Sequence, residues 1–312
     1  MKKWLLLVLF SIGISGAVQA APGDFKHDLP DGEKPWSNEN FPSEKDFHFI
    51  IIPDRAGGER KGIFERGLQN AARLRPDFIM SVGDLIDGMW KRDIDLFRGQ
   101  WTEVKNMVNK TEIPFFYVVG NHDINRYDAG AKRRFRITQK EWKKNFGVNT
   151  YYAFTYKNVL FICLNTMECG DGRKSPKNIS SEQVAWAKKV LDENPGVRWT
   201  FLFFHHPGTF DTPEFQELEK TLVKRKYTVF TGDWHRYVKY QRHGRDYYVL
   251  GTCGGTSKMR GPEYGEFDHI TYVSVSGEKP LVTNILIDGF LPDDVVAQKN
   301  SKHDLRKNFD LP

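Results

Sequence analysis

Ser81-Val82-Gly83-Asp84-Leu85-Ile86-Asp87-Gly88 is the stretch on which the reading turns, because an apolar run from Phe78 to Val82 stops at a glycine and passes to two carboxylates. A continuous apolar run of this length marks a buried strand, and in open α/β sheets ligands gather beyond the carboxyl ends of strands. Asp84 is therefore the first candidate metal ligand, placed to bridge two ions. A single carboxylate after a glycine also has a plainer explanation, a capped turn at a strand end. Repetition decides between them: apolar strand, then Gly or Pro, then polar ligand is written five times along the chain.

The first instance is Phe47 to Ile52, followed by Pro53-Asp54-Arg55-Ala56-Gly57-Gly58. Asp84 is the second. Phe115 to Val119 leads into Gly120-Asn121-His122-Asp123, Trp199 to Phe204 into His205-His206-Pro207, and Tyr227 to Phe230 into Thr231-Gly232-Asp233-Trp234-His235. All five are expected to share one sheet edge. Between them run helical patterns: Ile63, Leu68, Ala71, Ala72 and Leu74 in one, Ile94, Phe97, Trp101, Val104 and Val108 in the next. Another begins at Ser180, where Ser180 and Gln183 predict a capping box and Ile179 is placed to staple Val184. Thr212-Pro213 starts a helix that turns Phe215, Leu218 and Leu222 inward. Tyr151–Tyr156 and Val159–Leu164 form a hairpin pair, and the hairpins from Tyr237 to Ile287 are expected to make the second sheet.

Domain boundaries follow from composition. Lys2 and Lys3 precede an apolar stretch from Leu5 to Val18 and the small residues of Val18-Gln19-Ala20, which reads as a signal peptide over 1–20 and a periplasmic or secreted protein with no membrane span after cleavage. Residues 21–44, rich in Pro, Asp, Gly and Asn, read as an exposed arm. A single domain spans 45–290, and 291–312 form a polar tail. The net charge of the 312 residues is +6 and stays mildly basic without Lys2 and Lys3, which suits an anionic substrate. Lys132-Arg133-Arg134-Phe135-Arg136 reads as a solvated helical face, so specific nucleic-acid binding is not expected. No G-x-S-x-G occurs and the Gly254-Gly255 loop fits no P-loop spacing, which excludes the corresponding hydrolase and nucleotide-binding classes. Of the three cysteines, Cys163 is expected as a buried free thiol and Cys169 with Cys253 as a disulfide.

Taken in order, GDLIDG, GNHD, a strand-end HHP and GDWH resemble the motifs of the calcineurin-like metallophosphoesterases over nearly the whole mature chain. The DRAGG stretch resembles a bacterial branch whose first motif reads DRTGG, in place of the commoner DxH. The last motif departs from the usual GHxH at Asp233. The resemblance implies a four-layer α/β/β/α sandwich of two mixed β-sheets flanked by helices, with the site at strand ends. It implies that Asp54, Asp84 and His235 hold one divalent ion, while Asp84, Asn121, His205 and Asp233 hold a second. It implies that His122 donates a proton to the leaving group with Asp123 orienting its ring, and that Arg55 and His206 contact substrate. A carboxylate at 233 favours Mn, with Fe, Zn or Mg as alternatives. The function implied is an exported phosphatase or diesterase that hydrolyses small or macromolecular phosphate esters by in-line attack of a metal-activated water. The rival reading, carried by the two altered motifs, is a non-catalytic phosphate-ester or envelope-ligand binding module with one metal or none.

Overall fold

The apolar runs do form strands covered on both faces. In the computed structural model, which describes residues 25–30, 32–39, 46–88, 93–124, 131–147, 149–168, 177–276, 279–292 and 297–298, Phe49 to Ile52 and Phe78 to Ser81 are all buried. The first half of the chain alternates strand and helix: β1 (Lys26–His27), β2 (Phe47–Ile52), α1 (Ile63–Arg73), β3 (Phe78–Ser81), α2 (Ile94–Asn109), β4 (Phe115–Phe116) and α3 (Ala131–Phe146). Next come β5 (Tyr152–Tyr156), β6 (Val159–Cys163), α4 (Ser181–Glu193), β7 (Trp199–Phe203), α5 (Pro213–Leu222) and β8 (Tyr227–Thr231). Hairpins follow, β9 (Val238–Arg242) with β10 (Arg245–Val249), then β11 (His269–Val275), β12 (Leu281–Leu286), β13 (Gly289–Pro292) and β14 (Ala297–Gln298).

Among the described residues these strands build two mixed sheets. One runs β13-β12-β11-β2-β3-β4 and the other β1-β5-β6-β7-β8-β10-β9-β14. Three buried clusters define the layers. Phe49, Phe78, Phe116, Phe154, Phe161, Phe201, Phe203 and Phe230 fill the space between the sheets. Phe64, Leu68, Phe97, Trp101 and Trp142 lie between the smaller sheet and α1 to α3, and Leu191, Phe215 and Leu218 lie between the larger sheet and α4 and α5. This is the four-layer α/β/β/α sandwich. Each fully buried Phe contributes on the order of 2–3 kcal/mol, which makes the aromatic layer the main source of cohesion between sheets.

Several expectations need correction. The C-terminal hairpins do not make a sheet of their own: β9 and β10 extend the larger sheet beside β8, whereas β11 to β13 join β2 in the other. β10 joins β8 in parallel and β11 joins β2 antiparallel, and packing across the whole chain makes the choice. Residues 21–44 are not simply an exposed arm, because β1 pairs with β5, Leu29 and Trp36 are buried, and the Tyr117 N–H donates to the Pro35 carbonyl. Nor is the tail wholly outside the fold, since β14 pairs with β9. Ser180 caps α4 by accepting the Gln183 N–H. The Gln183 side chain does not return the bond; it is buried and exchanges hydrogen bonds with the backbone of Asn165. Cys163 and Cys253 are both buried free thiols, and Cys169, like residues 1–24, lies outside the described residues. Among the described residues no helix is long and apolar enough to cross a membrane.

His269 on β11 gives the fold a pH dependence. It is fully buried, its Nε2 accepts the Gly251 N–H at 2.9 Å, and burial pushes its pKa down to about 3 from 6.5. An unfolded chain takes up a proton near pH 6.5 that the folded chain refuses, so this contribution to stability is complete above that pH and is lost as the pH falls towards 3. Urea unfolding of wild type and His269→Gln between pH 7 and 4 is expected to show a steeper loss in wild type, by on the order of 1–3 kcal/mol. Parallel pH profiles would remove His269 from the account.

Candidate metal centre

The carboxyl ends of strands from both sheets converge at one end of the sandwich. Asp54 follows β2, Asp84 follows β3 and Asn121-His122 follow β4, all in the six-stranded sheet; His205-His206 follow β7 and Asp233 and His235 follow β8, in the other. The site therefore spans two sheet edges, where a single edge was expected. Backbone geometry is strained where the ligands sit: Asp84, Asp233 and His235 have φ of 55°, 69° and 51°, a left-handed conformation that costs a non-glycine residue on the order of 1–2 kcal/mol. Asp84 is held there by its N–H on Asp123 Oδ2 at 2.8 Å and by its carbonyl, which accepts the N–H groups of Arg55 and Ala56 at 3.0 and 2.9 Å. Two glycines make room for the carboxylates. A Cβ at Gly120 would lie 2.2 Å from Asp84 Oδ1, and one at Gly232 would lie 2.3 Å from Asp54 Oδ1.

Three imidazoles are oriented by the same device. His205 Nδ1 bonds the Val82 carbonyl at 2.8 Å, His235 Nδ1 the Thr256 carbonyl at 2.6 Å and His122 Nδ1 the Asp87 carbonyl at 3.0 Å. In each, the proton belongs on Nδ1 and Nε2 is turned towards a carboxylate. His205 Nε2 lies 3.1 Å from Asp84 Oδ2, His235 Nε2 3.3 Å from Asp54 Oδ2 and His122 Nε2 3.7 Å from Asp84 Oδ2. His206 differs: its Nδ1 meets Thr166 Oγ1 at 2.7 Å and its Nε2 meets Asn121 Oδ1 at 2.8 Å, so it fixes the amide.

The donor set fits divalent cations. Donor atoms of Asp54, Asp84 and His235 lie within 4.8 Å of one another, and so do those of His205, His206 and Asp233. Asp54 Oδ1 is buried without a hydrogen-bond partner, an arrangement that is costly unless a further group satisfies it. The electrostatics agree. Burial opposes charge on His205, yet Asp84 and Asp54 outweigh it and hold the imidazole up at about 10; burial likewise opposes His235, and Asp54 raises it to about 9. Asp84 is driven upward by burial but held below the usual carboxylate range by His205 and His122. The cluster thus draws positive charge into itself, a demand that cations satisfy as well as protons do.

A family model described as Calcineurin-like phosphoesterase matches residues 46–237. The chain belongs to the calcineurin-like phosphoesterase family. Among curated proteins it is 27% identical over 159 residues to "Probable glycerophosphodiester phosphodiesterase GpdQ" of Arcobacter nitrofigilis, a match that covers 50% of this chain and 51% of that protein. The chain thus spans about half the length of that relative. Among solved structures, PhoD superposes with a TM-score of 0.56 at 11% identity, covering 84% of this chain and 72% of that one. GAP50, the anchor in the inner membrane complex of Plasmodium, gives 0.50 at 11% identity, covering 81% and 91%. At such identities these two likenesses concern the fold alone.

Within this calcineurin-like frame, Asp54, Asp84, Asn121, His205, Asp233 and His235 are gathered at one place, with His122 beside them. Three expected roles are not met. Arg55 is buried and turned away: Nη1 donates to the Leu85 carbonyl at 3.1 Å, Nη2 pairs with Glu59 and Glu103 at 2.8 and 3.3 Å, and the guanidinium lies over Phe64. It is not a phosphate contact. Asp123 does not orient the His122 ring, because its oxygens accept the backbone N–H groups of Asp84, Leu85 and Gly120, while burial and then the Asp84 charge raise it to about 7. His206 is likewise wholly buried behind Asn121 and does not face the surface as a substrate contact. Sequence reasoning missed the work of Asp87, whose side chain accepts the N–H groups of Gly57 and Gly58 and whose carbonyl holds His122. Its place in GDLIDG was the available signal. Lys177, whose Nζ meets Asp233 Oδ2, lies in no motif.

Proposed function

We propose that this protein is an exported, metal-dependent phosphoesterase that hydrolyses phosphate mono- or diesters. The observation that carries the activity is the convergence of two donor groups, one holding Asp54, Asp84 and His235 and the other His205 and Asp233, with the unpartnered Asp54 Oδ1 among them. Asp54, Asp84 and His235 would hold one ion, and Asp84, Asn121, His205 and Asp233 the other. Divalent cations bound there would polarise the phosphoryl oxygens and make a water acidic enough to attack at neutral pH. The chain's own residues supply the rest. Asp84 and Asp54 furnish negative charge fixed by strand-end backbone, and neutral imidazole and amide donors keep that charge moderate. His122, with its side chain 14% exposed and its Nδ1–H tied to the Asp87 carbonyl, would in its doubly protonated form deliver the Nε2 proton to the leaving oxygen.

Support for export is the leader-like stretch of residues 1–20 alone. The oxygen-rich donor set containing Asp233 favours Mn over Zn, and the name of the Arcobacter nitrofigilis relative puts diesters first among substrates. The protein, stripped with chelator and assayed on aryl monoesters and diesters with Mn, Zn, Fe or Mg, is expected to recover hydrolysis best with Mn. Absence of turnover with every metal and both ester classes would favour a binding module in place of an enzyme.

A further inference from the structure

Asp233 stands where the family resemblance calls for an imidazole, and the two oxygens of its carboxylate face different ways. Oδ1 lies 3.6 Å from His206 Nε2 and 3.8 Å from His205 Nε2, while Oδ2 is bonded by the ammonium of Lys177. The pair is sheltered, with the Asp233 side chain 12% and the Lys177 side chain 27% exposed. Nor is Lys177 placed by chance on a loose loop: its carbonyl accepts Thr209 Oγ1 at 2.8 Å, and the next residue, Asn178, is buried with its side-chain oxygen accepting Thr212 Oγ1 at 2.6 Å. These contacts fix Lys177 against the turn that follows His205-His206-Pro207.

We propose that Lys177 is a positioning residue that makes Asp233 behave as a neutral, single-oxygen ligand. The ammonium occupies Oδ2, so only Oδ1 is left for an ion beside His205. It also cancels the carboxylate charge, so the Asp233–Lys177 pair presents the same net charge as a neutral imidazole. Without the lysine, Asp233 would offer both oxygens and a full negative charge. An ion there would bind more tightly and be a weaker Lewis acid. The inference deepens the metal-dependent reading above and rests on it.

Calorimetric titration of the chelator-stripped protein with Mn separates charge from structure by the sign of the change. Loss of a merely structural contact would loosen metal binding. Removal of a neutralising charge should tighten it, so Lys177→Met is expected to bind Mn roughly 10-fold more tightly at low salt. Lys177→Arg should bring the affinity back towards wild type, and Lys177→Met combined with Asp233→Asn, which removes both charges, should reverse the tightening. Unchanged or weaker binding in Lys177→Met, with wild type binding Mn normally, would overturn the role of Lys177 and leave the metal reading standing. Wild-type protein that takes up no Mn would overturn both.

Discussion

Asp84→Ala is expected to abolish hydrolysis and metal uptake together, with a fall in turnover on the order of 10³-fold or more. Asp84 has a share in every part of the centre: Oδ1 accepts the His122 N–H at 2.8 Å, Oδ2 faces both His205 and His122, and its carbonyl holds the Arg55 and Ala56 N–H groups. Alanine would remove both oxygens, and it fits φ 55° less readily than aspartate or asparagine. Asp84→Asn separates the two effects, because asparagine tolerates the left-handed region and keeps the shape while losing the charge. Metal content by mass spectrometry, with circular dichroism to check the fold, should show the Asn variant folded and metal-poor. Full activity in either variant would dismiss the metal-centred mechanism.

His122→Ala is expected to behave differently, keeping its metal and slowing turnover by roughly 100-fold or more. Its ring has no place in either donor group, and its side chain is partly open to solvent. The defect should depend on the leaving group: small for esters of acidic phenols, which depart without a proton, and large for alkyl esters, which need one. An equal defect for both would assign His122 to binding in place of proton delivery.

The strand ends were legible because one local signature encodes both strand and ligand: an apolar run, a residue that frees or bends the backbone, then a side chain with a lone pair. Gly120 and Gly232 show why the signature is physical, since any larger residue would collide with a carboxylate. Sheet membership was not legible. Both β10 and β11 are mostly buried strands of hairpins, yet one joins β8 and the other β2, a choice that lies in packing across the chain. Direction was lost as well. Arg55 adjoins a ligand in sequence, and nothing local says that its guanidinium turns to Leu85, Glu59 and Glu103. Lys177 was invisible for the opposite reason, being brought to Asp233 from a separate segment.

Because the ligands are divided between two sheets, the distance across the centre is gauged by what lies between those sheets. That spacer is a layer of rings set edge to face: Phe49 against Phe201 at 5.2 Å and against Phe161 at 5.4 Å, and Phe78 against Phe161 at 5.3 Å. A ring replaced by a smaller side chain would let the sheets settle closer, carrying Asp54 and Asp84 towards or past His205 and Asp233 like the jaws of a caliper. The aromatic interior would thus act as a length standard for any ions held at its end, so that which cation fits would be written partly in phenylalanines that no cation touches.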